Sequence, residues 1–207
     1  MTSFSTLMGK QKLLPIIQAE TAEEGLNIAK AMAEAGINLV EVVLRTPASY
    51  DVISLIKKEL PQMVVGAGTI LDETILNKAL AVGADFIITP ATSAKLYEVL
   101  AKCPVPVVPG VSSAADVLVA YENGYTEIKL FPAALAGGVA FLNAMSSVFQ
   151  TMKFCPTGGV NASNKSEFLA LDNVIAIGGT WVADKKWVKN KDWAAITAAC
   201  LDAEGNK

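Results

Sequence analysis

Short runs rich in β-branched residues alternate with helical patterns along the whole sequence. The runs are LLPIIQA, NLVEVVLRT, MVVGAGTI, DFIITP, VPVVPGV, EIKLFPA, KFCPTGGV and VIAIGGTW. Each is followed by a stretch with apolar residues at helical spacing, as in TAEEGLNIAKAMAEAG, where Thr21 and Glu24 resemble a capping box. This alternation constrains the fold more than any other feature, because strands connected through helices pair in parallel.

Eight such units follow one another without a linker or a change in composition. They start roughly every 20 to 27 residues, close to the length of one strand-helix unit in a (β/α)8 barrel. We therefore predict an α/β fold, a single-domain (β/α)8 TIM barrel over residues 1–207, with about residues 1–12 as a short segment before the first strand. A doubly wound sheet is the alternative fold, but the sequence contains neither a GxGxxG nor a GxxxxGKS/T nucleotide loop.

Composition describes a compact protein with a slightly acidic balance. Hydrophobic residues make up 52% of the chain and charged residues 18%, and the net charge is −3. No basic stripe offers a surface to nucleic acid, so an anionic ligand must be held by local donors. The first residues lack the apolar core of a signal peptide, and no apolar run reaches the length of a membrane span. We expect a cytoplasmic protein without a nucleic-acid or membrane partner.

The absence of histidine narrows the possible chemistry. The sequence has no histidine and three cysteines, Cys103, Cys155 and Cys200, which lack the spacing of a metal or redox motif. Histidine is the commonest general acid or base and the commonest metal ligand. Acid–base catalysis must therefore depend on carboxylates, lysines or tyrosines. We expect no metal site and no cofactor.

Paired glycines end the seventh and eighth predicted strands. In a (β/α)8 barrel the loops after these strands frequently bind phosphate through backbone N–H groups. The candidate phosphate ligands are Gly158, Gly159, Gly178, Gly179 and the hydroxyl of Thr180. The alternative is that these glycines only permit tight turns.

A lysine stands in the middle of EIKLFPA, a predicted buried strand. Because side chains alternate along a strand, Ile128 and Leu130 should face the helices and Lys129 the barrel interior. Glu41 faces inward from the second strand, opposite the sixth, so the two residues could share one layer. An ammonium deprived of water favours its uncharged form, which can attack a carbonyl. A buried structural ion pair is the alternative, although such a pair is a weak stabilising device.

Two polar residues are predicted at the barrel mouth. Arg45 lies four residues beyond Glu41 on the same face, about 13 Å along the strand at 3.3 Å per residue. A guanidinium there suits bidentate binding of a carboxylate, with a rim salt bridge as the alternative. Thr69, which ends GAGT on the neighbouring strand, could add a hydroxyl donor. Four other lysines are interpreted as solvated surface charges: Lys57, Lys58, Lys185 and Lys186.

Five segments together resemble one enzyme family. They are VEVVLRT (40–46), VGAGT (65–69), IKLFPAALAGG (128–138), KFCPTGG (153–159) and IGGTW (177–181). In this order and spacing they are similar to the class I 2-keto-3-deoxy-6-phosphogluconate (KDPG) and 4-hydroxy-2-oxoglutarate aldolases, and the similarity extends from end to end. The resemblance implies a homotrimeric TIM barrel in which Lys129 forms a Schiff base and Glu41 moves protons.

The resemblance also implies roles around that pair. Arg45 and Thr69 would hold the carboxylate of the substrate's pyruvyl part. Gly158, Gly159, Gly179 and Thr180 would lie near its phosphate, and Pro90, Phe131 and Thr157 would line the pocket.

The implied reaction is cleavage of KDPG, a small phosphorylated keto acid, to pyruvate and glyceraldehyde 3-phosphate without a metal. Alternatives are the same chemistry on 4-hydroxy-2-oxoglutarate or on the 6-phosphogalactonate epimer, a non-covalent sugar-phosphate isomerase, and a catalytically silent metabolite-binding barrel. The sequence departs from the family pattern at Ala91, Ala134, Ala136 and Thr180. None of these is the proposed lysine, glutamate or arginine, so we expect them to affect specificity more than reaction type.

Overall fold

The strands of this chain all pair in parallel within the part that a computed structural model describes, residues 2–205. Residues 1, 206 and 207 of the predicted domain lie outside that part. The strands are β1 (Leu13–Ile17), β2 (Leu39–Val43), β3 (Val64–Gly68), β4 (Phe86–Ile88), β5 (Val107–Val108), β6 (Gly110–Val111), β7 (Glu127–Leu130), β8 (Lys153–Pro156) and β9 (Ile177–Gly179). Their order is β5-β4-β3-β2-β1-β9 in a six-stranded sheet and β6-β7-β8 in a three-stranded sheet.

The fifth predicted strand, VPVVPGV, is divided at Pro109 into β5 and β6. Proline has no N–H to donate to a neighbouring strand, although the Pro109 carbonyl accepts a hydrogen bond from the Lys129 N–H at 2.9 Å. On the other side, an isolated parallel bridge pairs Thr157 with Gly178. The α/β fold with parallel strands is confirmed, but the described strands form two sheets in place of one continuous eight-stranded ladder.

Helices separate the strands, as the alternating pattern predicts. They are α1 (Phe4–Met8), α2 (Ala22–Glu34), α3 (Ser49–Glu59), α4 (Glu73–Ala81), α5 (Ala94–Leu100), α6 (Ala114–Glu122), α7 (Gly138–Val148), α8 (Lys165–Leu169), α9 (Lys185–Asn190) and α10 (Trp193–Glu204), with a 3₁₀ helix at Trp181–Ala183. Their apolar faces pack on the strands, as Ile53 and Ile56 of α3 do in the same core cluster as Val40 and Val42 of β2. None of the helices within residues 2–205 is long and apolar enough to cross a membrane.

Side-chain caps define where several helices begin. The Thr21 hydroxyl accepts a hydrogen bond from the Glu24 N–H at 3.1 Å, as predicted. The Glu24 carboxylate instead accepts from the N–H of Glu20, one residue before the predicted partner, at 2.9 Å. The reciprocal capping box occurs at α6, between Ser113 and Asp116.

Helix α1 packs beside the N-terminal ends of the strands. Phe4 and Met8 are buried in an inner cluster, and the rings of Phe4 and Phe86 have centroids 5.4 Å apart. The N–H of Ser5 donates to the Glu127 carboxylate at the start of β7, at 3.1 Å. Polar chemistry is instead concentrated at the carboxyl ends of the strands.

Candidate active site

Lys129 of β7 and Glu41 of β2 face each other in the interior. The lysine Nζ lies 3.2 Å from Oε1 and 3.5 Å from Oε2 of the glutamate. The two side chains are 4% and 0% exposed. Side-chain alternation causes this orientation, since Ile128 and Leu130 point the other way, into an apolar cluster that includes Leu142 of α7. The structure therefore brings together the two residues that the sequence pattern places in one layer.

Two glycines of β3 leave space for neighbouring side chains, Gly68 for Glu41 and Gly66 for Phe86. A Cβ atom added at Gly68 would lie 2.0 Å from Oε1 of Glu41, and one added at Gly66 would lie 2.2 Å from the ring of Phe86. Sequence reasoning missed this role of β3. The signal was available, because glycine inside a strand often marks a close approach by another group.

Arg45 and Thr69 meet at the exposed rim. The Nε–H of Arg45 donates to the Thr69 hydroxyl at 3.1 Å. Thr69 has φ +69°, a left-handed conformation that is rare for a β-branched residue. Such conformations are concentrated at ligand sites, where the surrounding structure maintains them. Arg45 has a hydroxyl partner, and the rim salt bridge considered as an alternative is not formed within the described residues.

A cavity of about 160 Å³ opens above Lys129. Eight of the predicted site residues line it: Arg45, Lys129, Phe131, Thr157, Gly158, Gly159, Gly179 and Thr180. Three apolar residues that sequence reasoning did not single out complete the wall: Ile16, Val43 and Val160. The cavity thus has an amine at its base, a guanidinium on one side and glycine-rich backbone on another.

Four predicted residues lie outside the cavity wall. Glu41 is behind Lys129, Thr69 supports Arg45, and Gly178 faces Thr157. Pro90 packs with its backbone against Gly110, where an added Cβ atom would lie 2.4 Å from the Pro90 carbonyl oxygen. The pocket-lining role of Pro90 stays a prediction.

Comparison with known proteins shows which family the chain belongs to. The family model described as KDPG and KHG aldolase matches residues 5–199. The chain belongs to this aldolase family. It is 39% identical over 198 residues to a 2-dehydro-3-deoxy-phosphogluconate aldolase of Pseudomonas aeruginosa, covering 96% of this chain and 90% of the relative. It is 34% identical over 207 residues to a KHG/KDPG aldolase of Escherichia coli K12, covering 100% and 97%.

Solved structures of two relatives closely match the fold of this chain. The chain matches a KDPG aldolase from Legionella pneumophila with a TM-score of 0.93 and 36% identity, over 96% of this chain and 97% of the other. That structure holds pyruvate captured at low pH as a covalent carbinolamine intermediate. A KDPG aldolase from Zymomonas mobilis matches with a TM-score of 0.92 and 34% identity, over 99% and 98% of the two chains.

The two glycine pairs at the mouth of this aldolase differ in what they require. Gly158 and Gly159 have φ +88° and +86°, so the tight-turn explanation applies to them. A Cβ atom added at Gly159 would also lie 2.3 Å from that of Ala134, one of the four residues that depart from the family pattern. At Gly178 no positive φ is involved; an added Cβ atom would lie 2.2 Å from the Thr157 hydroxyl. Close packing, and not only ligand access, therefore selects glycine here.

Cys155 is a neighbour of the lysine that sequence reasoning did not assign. It pairs in register with Lys129 across β7 and β8 and is buried. Burial raises the pKa of the Cys155 thiol to about 12; the charge of Lys129 opposes this shift and that of Glu41 adds to it. The thiol is consequently neutral at physiological pH, so it adds no charge beside the amine.

Within residues 2–205, no cluster of three or more histidine, cysteine, aspartate or glutamate residues could hold a metal ion. The functional groups at hand are the amine of Lys129, the carboxylate of Glu41, the guanidinium of Arg45 and backbone N–H groups. Such a set can form an imine with a ketone, move a proton and bind anions.

Proposed function

We propose that this chain is a metal-independent class I aldolase that cleaves KDPG to pyruvate and glyceraldehyde 3-phosphate. The observation that carries the proposal is the buried Lys129–Glu41 pair, in which the lysine Nζ lies 3.2 Å from Oε1 of the glutamate. The pair is at the base of a cavity whose wall includes Arg45 and two glycine-containing segments. A structural ion pair would explain the contact but not its position under a cavity lined with anion-binding groups.

The first step is imine formation at Lys129. Its uncharged amine attacks the C2 ketone of the substrate, and loss of water from the carbinolamine gives an iminium. The Legionella relative, with its covalent carbinolamine of pyruvate, supports this step. Before the attack, the Glu41 carboxylate can accept one proton from the Lys129 ammonium, because its oxygen is within hydrogen-bond distance. It then returns that proton to the carbinolamine hydroxyl, which departs as water.

Cleavage follows from the electron demand of the iminium. Glu41, directly or through water, removes the C4 hydroxyl proton, and the electrons of the C3–C4 bond move to the iminium nitrogen. Glyceraldehyde 3-phosphate leaves and an enamine remains. Protonation at C3 and addition of water to the imine then release pyruvate and restore the amine.

The two anionic ends of the substrate are matched by different parts of the wall. Arg45, oriented by Thr69, is the proposed partner of the carboxylate next to C2. Gly158, Gly159 and the Gly179–Thr180 segment present backbone groups on the same cavity, which suits the phosphate.

We infer that the two sheets enclose one (β/α)8 barrel that forms a single domain. The chain passes from β5 directly through Pro109 into β6, and the Thr157–Gly178 bridge links the other edges. The inner cluster supports this inference, because it joins Leu14 and Phe86 of the larger sheet with Cys155 of the smaller one.

We infer a homotrimer, located in the cytoplasm, whose contacts involve α6 and α7. The segment 131–152, which contains α7, has no charged residue. Leu118 and Tyr121 of α6 are 46% and 53% exposed. Large exposed apolar surfaces of this kind mark interfaces.

Analytical ultracentrifugation tests this interface. Leu118→Glu should reduce the number of subunits in the assembly, while Leu71→Glu, an equally apolar exposed control, should not. The reverse result would place the interface elsewhere.

Borohydride reduction tests the chemistry. Treatment with pyruvate and borohydride should add the mass of reduced pyruvate to the peptide that contains Lys129, and Lys129→Arg should abolish the adduct. A non-covalent isomerase or a silent binding barrel would give no adduct. An adduct on any other lysine would defeat the assignment.

Pyruvate release, coupled to lactate dehydrogenase, tests the substrate. We expect the highest kcat/KM with KDPG, and lower values with its galactonate epimer and with 4-hydroxy-2-oxoglutarate. A higher value with 4-hydroxy-2-oxoglutarate would retain the Schiff-base mechanism but reject the phosphate assignment.

A further inference from the structure

The side of Gly179 that faces away from the interior is covered by the indole of Trp181. A Cβ atom added at Gly179 would lie 1.7 Å from Cζ3 and 1.9 Å from Cε3 of that ring. Gly179 does not have a positive φ, so its backbone conformation is open to other residues. Glycine is required at 179 because the ring occupies the place of a side chain.

Trp181 is itself held firmly in place. Its ring packs against the two largest apolar clusters of the protein, which include Val182 and Ile177 respectively. Trp181 also begins the 3₁₀ helix, whose turn is closed by the Ala183 N–H donating to the Thr180 carbonyl at 3.0 Å. The Gly179–Thr180 backbone is therefore fixed between the cavity on one side and an anchored aromatic ring on the other.

We propose that Trp181 is a positioning residue for the phosphoryl group of the substrate. Its indole does not line the cavity, so it acts indirectly, through Gly179. It holds the backbone of Gly179 and Thr180 in the position where their N–H groups and the threonine hydroxyl can bind a phosphomonoester. This proposal rests on the proposed function, and it adds to that function a residue that lies outside the cavity. Lys129 and Glu41 lie on other strands, so loss of the ring should weaken phosphate binding without impairing imine formation.

Substrate comparison tests this separation. In Trp181→Leu we expect KM for KDPG to rise about 10- to 100-fold, the size expected for losing one charge-assisted hydrogen bond. Turnover of unphosphorylated 2-keto-3-deoxygluconate and the borohydride adduct with pyruvate should stay within about twofold of wild type. Trp181→Phe, which keeps an aromatic ring, should recover most of the loss. Equal losses with both substrates, or none with KDPG, would overturn the proposal.

A double-mutant cycle supplies a sharper test. Gly179→Ala should raise KM for KDPG in the wild-type background, because the methyl group displaces the ring. In the Trp181→Leu background the same change should add less than about threefold, since the obstruction is gone. If Gly179→Ala costs as much in both backgrounds, the phosphate itself and not the ring requires glycine, and the proposal is wrong.

Binding of glyceraldehyde 3-phosphate by calorimetry separates this proposal from the function on which it rests. Wild type should bind the compound and Trp181→Leu should bind it at least about tenfold more weakly. If wild type does not bind it, the phosphate site and the role of Trp181 are both rejected, while the pyruvate adduct still reports on the aldolase chemistry by itself.

Discussion

Two lysine–carboxylate pairs in this protein have the same chemistry and opposite surroundings. Lys129 and Glu41 are 4% and 0% exposed, with nitrogen–oxygen distances of 3.2 and 3.5 Å. Lys57 and Asp85 are 27% and 32% exposed, and their distances are shorter, 2.7 and 2.9 Å. Asp85 also accepts a hydrogen bond from the Val65 N–H at 2.7 Å. The better hydrogen-bonded pair is thus the one that is partly hydrated.

This difference in exposure and hydrogen bonding indicates a different role for each ion pair. Lys57 and Asp85 connect α3 to the loop before β4 and to β3, where they can support packing at a small desolvation cost. Lys57 is in contact with solvent, as interpreted from the sequence, but it is only partly hydrated and forms an ion pair with Asp85. Lys129 and Glu41 lose far more hydration and gain weaker contacts, so stability does not account for them. Their position below the cavity makes chemical function the better explanation.

The largest effect should come from removing the amine. We expect Lys129→Met to reduce pyruvate release from KDPG by on the order of 10⁴-fold or more, because no Schiff base can form. The coupled lactate dehydrogenase assay measures this loss. Lys57→Met, the matched change in the other pair, should retain activity within about twofold. Substantial activity in Lys129→Met would mean that another nucleophile does the work.

Removing the proton-transfer group should cost less. Glu41→Gln is expected to lower kcat by roughly 10²- to 10⁴-fold, the usual contribution of a general acid or base. The borohydride adduct with pyruvate should still form at Lys129, only more slowly, since the amine remains. Full kcat in Glu41→Gln would show that a different group moves the protons.

Replacing the whole buried pair should separate stability from activity. Lys129→Met alone leaves a buried carboxylate without its partner and is expected to cost about 3 to 5 kcal/mol of unfolding free energy. The double change Lys129→Met with Glu41→Leu should recover that loss, and could add about 1 to 4 kcal/mol relative to wild type. Urea denaturation followed by circular dichroism measures both. A double variant no more stable than the single one would mean that the pair does stabilise the fold.

The smallest effect is expected at the partly hydrated pair. Lys57→Met should lower the unfolding free energy by about 1 kcal/mol or less, since exposed ion pairs contribute little. High salt should reduce the difference between this variant and wild type. A loss as large as that of Lys129→Met would remove the contrast between the two pairs.

Several features followed from local sequence rules. Alternation along a strand is a property of the backbone itself, so the inward direction of Lys129 and Glu41 could be predicted without coordinates. The same rule, together with the strand count, placed Arg45 and Thr69 at one rim. The capping box predicted at α2 forms only in part, because the Glu24 carboxylate accepts a hydrogen bond from the N–H of Glu20 and not from that of Thr21.

Other features depended on which residues meet from distant parts of the chain. The room that Gly68 leaves for Glu41 and the division of a predicted strand at Pro109 were not foreseen. The same holds for the indole behind Gly179, even though Trp181 is only two residues away. A glycine in a sequence shows that a side chain is missing, but not what fills the space.

The sequence by itself determined the alternating α/β architecture and the inward direction of Lys129 and Glu41, because periodicity expresses short-range backbone geometry. The family followed from the resemblance of its motifs to those of known aldolases. Only the tertiary structure decided how the strands divide into sheets, which glycines serve packing and which serve conformation, and that Lys57 pairs with Asp85. Those outcomes depend on the volumes and charges that long-range contacts bring together, and no local pattern encodes them.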